Sequence, residues 1–400
     1  MLATHWGARI GILTLAHVVG TLPIVSVMAM APVIQQDLDL SVTQVGLLVS
    51  GYYMAQTIGA VPAGGLADRI GVGSALLTSH VLLIAGTLMF SQASDFAGAV
   101  AGTIVMGFGY SIVNPSTAKG ILTWFSARRR ATAMGVKQTG VPIGGVLAAA
   151  NGALVTLVPW QSIFFAMAGV IFVNALLCFL LVETQHPIAH KSIAATLGQM
   201  MQVGRNRNIR VLFLANIPWN MGQANFFSYL TLFMRDAAGA SQPVAGMVLG
   251  LAQISSALGR IGWGVVSDTL YRGARKWITV TLCAASAVLM VAMAAVEPGP
   301  GVWLGVVLAF GLGITIASYP TLAQTLAVES VEPGQAGAAM GYSLMGTSIG
   351  GVVGPPIFGA VVDYTGDLAD GWITTAIFVL LGTLMVAMTV RERQGYGGRD

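Results

Sequence analysis

Long apolar runs recur from one end of this 400-residue sequence to the other, separated by short polar segments. A helix of about 20 apolar residues is long enough to cross the roughly 30 Å hydrocarbon core of a bilayer. Apolar residues make up 55% of the chain and charged residues only 8%. Soluble domains carry roughly 25% charged residues. The pattern therefore predicts a helical protein that crosses a membrane many times.

Hydropathy and helix-breaking residues place twelve spans in the sequence. One long polar connection separates the first six spans from the last six. We therefore expect an N-terminal half at 1–183, a cytoplasmic linker at 184–210 and a C-terminal half at 211–400. The predicted spans lie near 9–33, 44–66, 74–92, 97–122, 134–157, 162–182, 211–234, 244–266, 277–296, 302–326, 336–361 and 371–390.

The basic residues indicate how the chain is oriented. If both termini are cytoplasmic, the outer loops hold only Arg235. Membrane proteins concentrate Lys and Arg on the cytoplasmic side, so this asymmetry predicts a multi-pass protein of the cell inner (plasma) membrane with both termini inside. The net charge of +4 then reflects topology and not a nucleic-acid partner. The inner loops would hold Arg69, Arg128, Arg129, Arg130, Lys191, Arg205, Arg207, Arg210, Arg272, Arg275 and Lys276.

The two halves share short stretches of sequence. "GGLADRIG" begins at Gly64 and "GVVSDTLY" at Gly264, which gives Gly-x-x-x-Asp twice at an offset of 200 residues. "AMGVKQTGVPIGG" (133–145) resembles "AMGYSLMGTSIGG" (339–351), and "NPSTAKG" (114–120) resembles "YPTLAQT" (319–325). Agreement at three places in the same order predicts an all-α integral membrane fold of two pseudo-symmetric six-helix halves.

These motifs resemble the major facilitator superfamily of secondary transporters, and the resemblance covers essentially the whole chain. "GGLADRIG" is similar to the family's loop between spans two and three, although Val72 and Gly73 stand where the family has two basic residues. The resemblance implies the major facilitator fold and transport by alternating access. The spans carry no metal-ligand cluster, nucleophile–base pair or phosphate loop, so we expect no enzyme, metal or cofactor. We also expect a monomer.

Three residues at the ends of spans two and eight are candidate gating residues: Asp68, Arg69 and Asp268. A carboxylate against a helix N-terminus is stabilised by about 0.3–1 kcal/mol. By the repeat, Asp68 would face the start of span eleven near Gly334, and Asp268 the start of span five. Such contacts would act as latches while the cytoplasmic side is closed. The alternative is that both carboxylates are loop groups solvated by water.

Three cations lie inside predicted spans, namely Lys119, Lys137 and Arg260, and no Asp or Glu lies there away from a helix end. Each is expected to cost about 2.5–3.5 kcal/mol at mid-bilayer, so each should face a cavity or a partner. An anionic substrate would supply that partner. The alternatives are that the lysines reach the cytoplasmic surface, and that Arg260 is capped by backbone carbonyls or paired with a loop acid.

Arg260 shares one helical face with Gln253 and Ser256, which makes that face polar. The segment is similar to the monocarboxylate and oxalate transporters of the superfamily, whose eighth span carries an arginine implicated in binding the substrate carboxylate. The resemblance assigns that role to Arg260. A guanidinium binds a carboxylate through two parallel hydrogen bonds, which a lysine cannot reproduce.

Uncharged polar residues complete the predicted site, and any of them could instead join helices. His17 could carry a proton. Pro218 is expected to break span seven at cavity depth. The other candidates are Tyr53, Gln56, Asn114, Asn216, Asn220, Gln223, Gln253 and Tyr319.

The sequence therefore predicts a secondary active transporter for a small organic anion, a mono- or dicarboxylate. Its partners would be that anion, the bilayer, and a coupled proton or counter-anion. The alternative is an exporter of drugs or other small solutes from the same superfamily. Export of cations normally requires an acidic residue in the cavity, and the spans offer none.

Overall fold

The computed structural model describes residues 6–182, 193–271, 274–299, 301–332 and 335–391. Within these ranges the chain is helical and contains no strand. The helices are α1 (Trp6–Ala29), α2 (Ala31–Asp37), α3 (Val42–Ile70), α4 (Val72–Ser91), α5 (Phe96–Trp124), α6 (Ala127–Gln138), α7 (Gly140–Leu154), α8 (Trp160–Phe179), α9 (Ile193–Val203), α10 (Arg207–Asp236), α11 (Gln242–Thr269), α12 (Lys276–Met293), α13 (Gly301–Ile314), α14 (Tyr319–Glu329), α15 (Ala336–Thr365) and α16 (Leu368–Thr389).

Each predicted span is occupied by one helix or by two consecutive helices. In the described residues, nine helical stretches are long and apolar enough to cross a membrane by length and composition. The prediction of an all-helical membrane protein is therefore confirmed. The predicted linker contains α9, while its residues 184–192 lie outside the described part.

Three spans predicted as continuous are divided in the structure. The first breaks at Met30, the fifth at Thr139 and the tenth over 315–318. The break in the tenth span comes just before Pro320, whose ring has no N–H and excludes the carbonyl four residues earlier from a regular helix. Pro218 was predicted to break span seven, and this prediction is wrong. Helix α10 continues through it, as α5 does through Pro115, because a proline can kink a helix without ending it.

The chain divides into two compact units. The first contains α1, α2, α3 from Leu47 onward, and α4–α8; the second contains Ser41–Gly46 and the helices from α9 onward. Corresponding helix pairs pack in both units. Helix α1 packs on α7 as α10 packs on α15, and α4 packs on α8 as α12 packs on α16.

Glycines of α7 and α15 allow close helix contacts within each unit. A methyl group at Gly144 would lie 2.6 Å from the carbonyl oxygen of Val18, and one at Gly354 would lie 2.9 Å from Met221 Cα. Any larger side chain would push α7 from α1, or α15 from α10. Close backbone approach of this kind drives helix association in lipid, where burial of apolar surface cannot.

Candidate functional site

Lys137 is the centre of a buried polar cluster in the first unit. Its side chain is 3% exposed. Basic residues precede it in α6, so the alternative prediction was that Lys137 reaches the cytoplasmic surface. Its Nζ donates to Asn114 Oδ1 at 2.6 Å and to Thr117 Oγ1 at 3.2 Å. Among the described residues no carboxylate pairs with Lys137. The cation is therefore held by neutral oxygens and does not extend to the surface.

Thr117 extends this cluster to span one. Its Oγ1 lies 2.9 Å from His17 Nε2, and His17 Nδ1 lies 3.5 Å from the hydroxyl of Tyr110. His17 is 1% exposed and Thr117 is fully buried. Asn114, by contrast, is exposed at the edge of the cluster. We name the five residues His17, Tyr110, Asn114, Thr117 and Lys137 the lysine cluster.

Aromatic residues of α3 lie beside the lysine cluster. Tyr52 stacks on Tyr110 with ring centroids 6.2 Å apart, and Tyr53 packs edge-on against Tyr52 at 5.6 Å. Tyr53 and Gln56 are half-buried. The structure thus places Tyr53 one ring away from the cluster.

Lys119 has a carboxylate partner, so the expectation that no acid balances the cations of the spans is wrong for it. Its Nζ lies 3.1 Å from Asp68 Oδ1 and donates to the carbonyl oxygen of Ala67 at 2.9 Å. The repeat predicted Asp68 against the start of span eleven, where Gly334 lies outside the described residues. The sequence did not reveal the pair because Asp68 and Lys119 lie on different helices.

A second cluster forms at the break between α13 and α14. The carbonyl oxygen of Ala317 accepts from Gln223 Nε2 at 3.0 Å, from Ser256 Oγ at 3.0 Å and from Arg260 Nε at 3.3 Å. A carbonyl that leaves a helix needs donors when no water is available. Spans seven and eight supply them here, and Arg260 is half-buried beside the break. We name Gln223, Ser256, Arg260 and the Ala317 carbonyl the arginine cluster.

The other predicted polar residues of this unit hold helices together or stand beside the cluster. Asn216 donates to Ser343 Oγ at 2.8 Å and Asn220 to the Thr347 carbonyl at 2.7 Å, so both join α10 to α15. Tyr319 is fully buried and packs edge-on against Trp219 at 5.4 Å. Gln253 is half-buried on the helix that carries Arg260.

Asp268 pairs with Arg275, which was predicted as an inner-loop cation but not as a gating residue. Arg275 Nη1 lies 2.7 Å from the Asp268 carboxylate and Nη2 lies 3.4 Å from Glu329. Burial acts to lower the pKa of Arg275, but its hydrogen bond to Asp268 and its attraction to Glu329 raise that pKa above its ordinary value. The arginine therefore stays charged and ties the end of α11 to the end of α14. Arg69, the third predicted gating residue, is exposed at the end of α3.

Tyr110 and Thr117 of the lysine cluster were missed, although one signal was available. They are spaced four residues before and three residues after the predicted Asn114, which places all three on one helical face. The Ala317 carbonyl carries no side-chain signal, and only the proline three residues later points to a break. No group of three potential metal ligands occurs among the described residues.

The family model described as Major Facilitator Superfamily matches residues 13–312 and 212–397. The hexuronate transporter of Bacillus subtilis (strain 168) is 24% identical over 95% of this chain and 93% of its own length. Multidrug resistance protein MdtG of Klebsiella pneumoniae (strain 342) is 25% identical over 87% of this chain and 84% of its length. Monocarboxylate transporter 13 of Bos taurus is 25% identical over 82% of this chain and 76% of its own length.

Solved structures agree with this match at the level of the fold. The crystal structure of the nucleoside transporter NupG superposes with a TM-score of 0.80 at 16% identity, covering 95% of this chain and 99% of that one. At this identity the likeness concerns the fold alone. Together with the helices described above, it supports the predicted all-α membrane fold.

Proposed function

Because this chain belongs to the Major Facilitator Superfamily, we propose that it is a secondary active transporter of small organic anions, specifically of mono- or dicarboxylates. It is a multi-pass membrane transporter and not an enzyme. Two of the relatives reported above are named for carboxylate cargo, a hexuronate and a monocarboxylate. The proposal extends that chemistry to this chain.

The observation that carries the proposal is the buried ammonium of Lys137. It is held by an amide oxygen and a hydroxyl oxygen, and no described carboxylate pairs with it. A cation inside a membrane protein needs a counter-charge or a polar cavity. Asn114, exposed beside it, marks the side from which a carboxylate would reach Nζ.

The arginine cluster supports the same chemistry. The hydrogen bond from Nε to the Ala317 carbonyl fixes the orientation of the guanidinium plane of Arg260. A planar guanidinium held in one orientation suits a planar carboxylate. Gln223 and Ser256 donate to the same carbonyl. They would hold the Ala317 carbonyl in place and so position Arg260, without touching the substrate themselves.

The second candidate is an exporter of drugs, because one relative is a multidrug resistance protein. Lipophilic cations are common cargo of such exporters, and a buried ammonium repels them. The two candidates therefore predict opposite preferences for the charge of the cargo. We place the exporter second for this electrostatic reason.

Counterflow in proteoliposomes separates the two candidates. The purified protein is preloaded with unlabelled glucuronate, glucarate, lactate or oxalate, and uptake of the labelled acid is compared with uptake of tetraphenylphosphonium. We expect exchange of at least one acid and its loss in Lys137→Gln. Lys276→Gln, which removes a lysine packed over Trp277 at the start of α12, is the matched control. Exchange of the cation without exchange of any acid would overturn the proposal.

Three further features belong to the proposal. Both termini would be cytoplasmic, on the distribution of basic residues. The halves would comprise 1–183 and 211–400 around a linker at 184–210, and the protein would work as a monomer. The coupled species would be a proton or a counter-anion.

A further inference from the structure

The hydroxyl of Thr117 stands between two groups that can each hold a proton. Oγ1 lies 3.2 Å from Lys137 Nζ and 2.9 Å from His17 Nε2. All three side chains are at most 3% exposed. A hydroxyl offers one proton and two lone pairs, so it can accept from the lysine and donate to the histidine at the same time.

The hydroxyl of Thr117 also has a second position available. It lies 2.8 Å from the Val113 carbonyl oxygen, the usual acceptor for a threonine within a helix. Rotation about one bond therefore moves its proton between Val113 and His17. On the far side of the ring, Tyr110 OH lies 3.5 Å from Nδ1, where it can accept when the ring carries a proton there.

We propose that Lys137, Thr117 and His17 form a binding site for the coupled proton, which the lysine and the histidine share through the threonine hydroxyl. The inference rests on the proposed carboxylate transport. In the transfer step Lys137 Nζ gives a proton to Thr117 Oγ1 while the Thr117 hydroxyl proton passes to His17 Nε2. The lysine becomes a neutral amine, the histidine becomes an imidazolium and the hydroxyl is restored.

Charge balance gives the reason for coupling. With one proton on the pair and one carboxylate beside Lys137, the buried cluster is neutral. With neither bound it is neutral again, whereas either one alone leaves an uncompensated buried charge. Proton and anion would therefore be carried together.

Most charged groups near this pair, among the described side chains, have contacts elsewhere. Asp37 accepts from Trp160 and Gln161, and Asp68 pairs with Lys119. Arg9 packs over Trp124 and Arg129 over Trp6, and Arg130 donates to the carbonyls of Leu122 and Phe125 at the end of α5. Among the described side chains, the other titratable groups on the helices of this unit include Tyr52, Tyr53, Tyr110, His80, Cys178 and, at the exposed end of α3, Arg69.

The test uses Thr117→Val, which keeps the shape of the side chain and removes its hydroxyl. The full chain in proteoliposomes is assayed with whichever of glucuronate, glucarate, lactate or oxalate the wild type exchanges fastest. Two quantities are measured: exchange without a pH gradient, and accumulation driven by a one-unit gradient with the outside acidic. With one proton per monocarboxylate the transport is electroneutral, and that gradient supports about tenfold accumulation; for a dicarboxylate the membrane potential is clamped at zero.

We expect the wild type and Thr117→Ser to show both activities. In Thr117→Val, pH-driven accumulation should fall by a clearly larger factor than exchange does, because the hydroxyl that passes the proton is gone. His17→Gln should behave like Thr117→Val and decides the matter if the valine variant does not fold. Full accumulation by a folded Thr117→Val or His17→Gln variant overturns the proposal. Wild-type exchange of an acid without any pH-driven accumulation also overturns the proposal, although carboxylate transport then stands. Failure of the wild type to exchange any acid overturns both.

Discussion

The ammonium of Lys119 lies 3.1 Å from the carboxylate of Asp68, which joins span four to the end of span two within the first unit. The sequence predicted other roles for both residues: Lys119 was expected to contact the substrate, and Asp68 to act as a latch. Their pairing separates Lys119 from Lys137, although the two lysines looked equivalent in the sequence. Lys119 is paired with a carboxylate, whereas the described hydrogen-bond partners of Lys137 are the neutral side chains of Asn114 and Thr117.

This pair yields a stability prediction. Asp68→Asn should lower the free energy of unfolding by about 1 kcal/mol, because Lys119 is mostly buried while the carboxylate is 38% exposed and partly screened. The midpoint of thermal unfolding in detergent measures the change. Lys119→Gln should then cost less in the Asp68→Asn background than in the wild type. Strict additivity of the two substitutions would show that the pair contributes no coupling energy.

Arg260→Lys should reduce transport more than it reduces stability. A lysine keeps the charge but lacks the Nε–H that anchors the guanidinium to the Ala317 carbonyl, and it cannot form two parallel bonds to a carboxylate. We expect the kcat/KM of exchange to fall by about tenfold or more, equivalent to about 1.4 kcal/mol of transition-state stabilisation.

The matched control for Arg260→Lys is Arg235→Lys. Arg235 lies 3.9 Å from Asp236 at the end of α10 and belongs to neither cluster. This variant should exchange at the wild-type rate. A folded Arg260→Lys protein with wild-type kinetics would remove Arg260 from the site and leave the lysine cluster as its candidate.

The sequence predicted the spans well because the length of an apolar run is a local property of the chain. In a bilayer, the backbone can satisfy its hydrogen bonds only as a helix or a closed barrel. The sequence predicted the polar face of α11 for the same reason, since spacing along one helix fixes which side chains share a face. It did not predict Asp68 with Lys119, and it offered a carbonyl partner for Arg260 only as an alternative, without identifying Ala317. Those contacts join different helices, and they depend on packing and on where a helix breaks.

Glycine positions offer a test of helix packing. Gly144→Ala should lower the free energy of unfolding by about 1–3 kcal/mol, because its methyl group would lie 2.6 Å from the Val18 carbonyl oxygen and force α7 away from α1. Gly135→Ala is the control, since a methyl group there meets nothing within 4 Å. It should be neutral or stabilising by about 0.5–1 kcal/mol, because alanine favours helix over glycine. Equal thermal shifts for both variants would contradict the proposed role of close packing.

The last prediction concerns the first turn of α3, which belongs to the second compact unit. The Asp363 carboxylate accepts from the N–H groups of Val42 and Thr43 at 2.9 Å each, and Tyr229 donates to the Val42 carbonyl at 3.2 Å. A carboxylate at a helix N-terminus satisfies donors that have no partner within the helix and also interacts favourably with the helix dipole.

Asp363→Asn removes the charge and leaves one acceptor for two donors, so we expect a loss of about 0.5–2 kcal/mol in unfolding free energy. Hydrogen exchange at the amides of the first turn of α3 should accelerate, because that turn would be released locally. Asp95→Asn is the matched control: Asp95 caps α5 through a single bond to the Gly98 N–H at 2.8 Å, and asparagine caps a helix as well as aspartate does. If both variants change exchange only at their own helix ends and by the same factor, Asp363 is an ordinary cap. A larger effect at Val42 and Thr43 is the expected result, because two charge-assisted bonds are lost or weakened there.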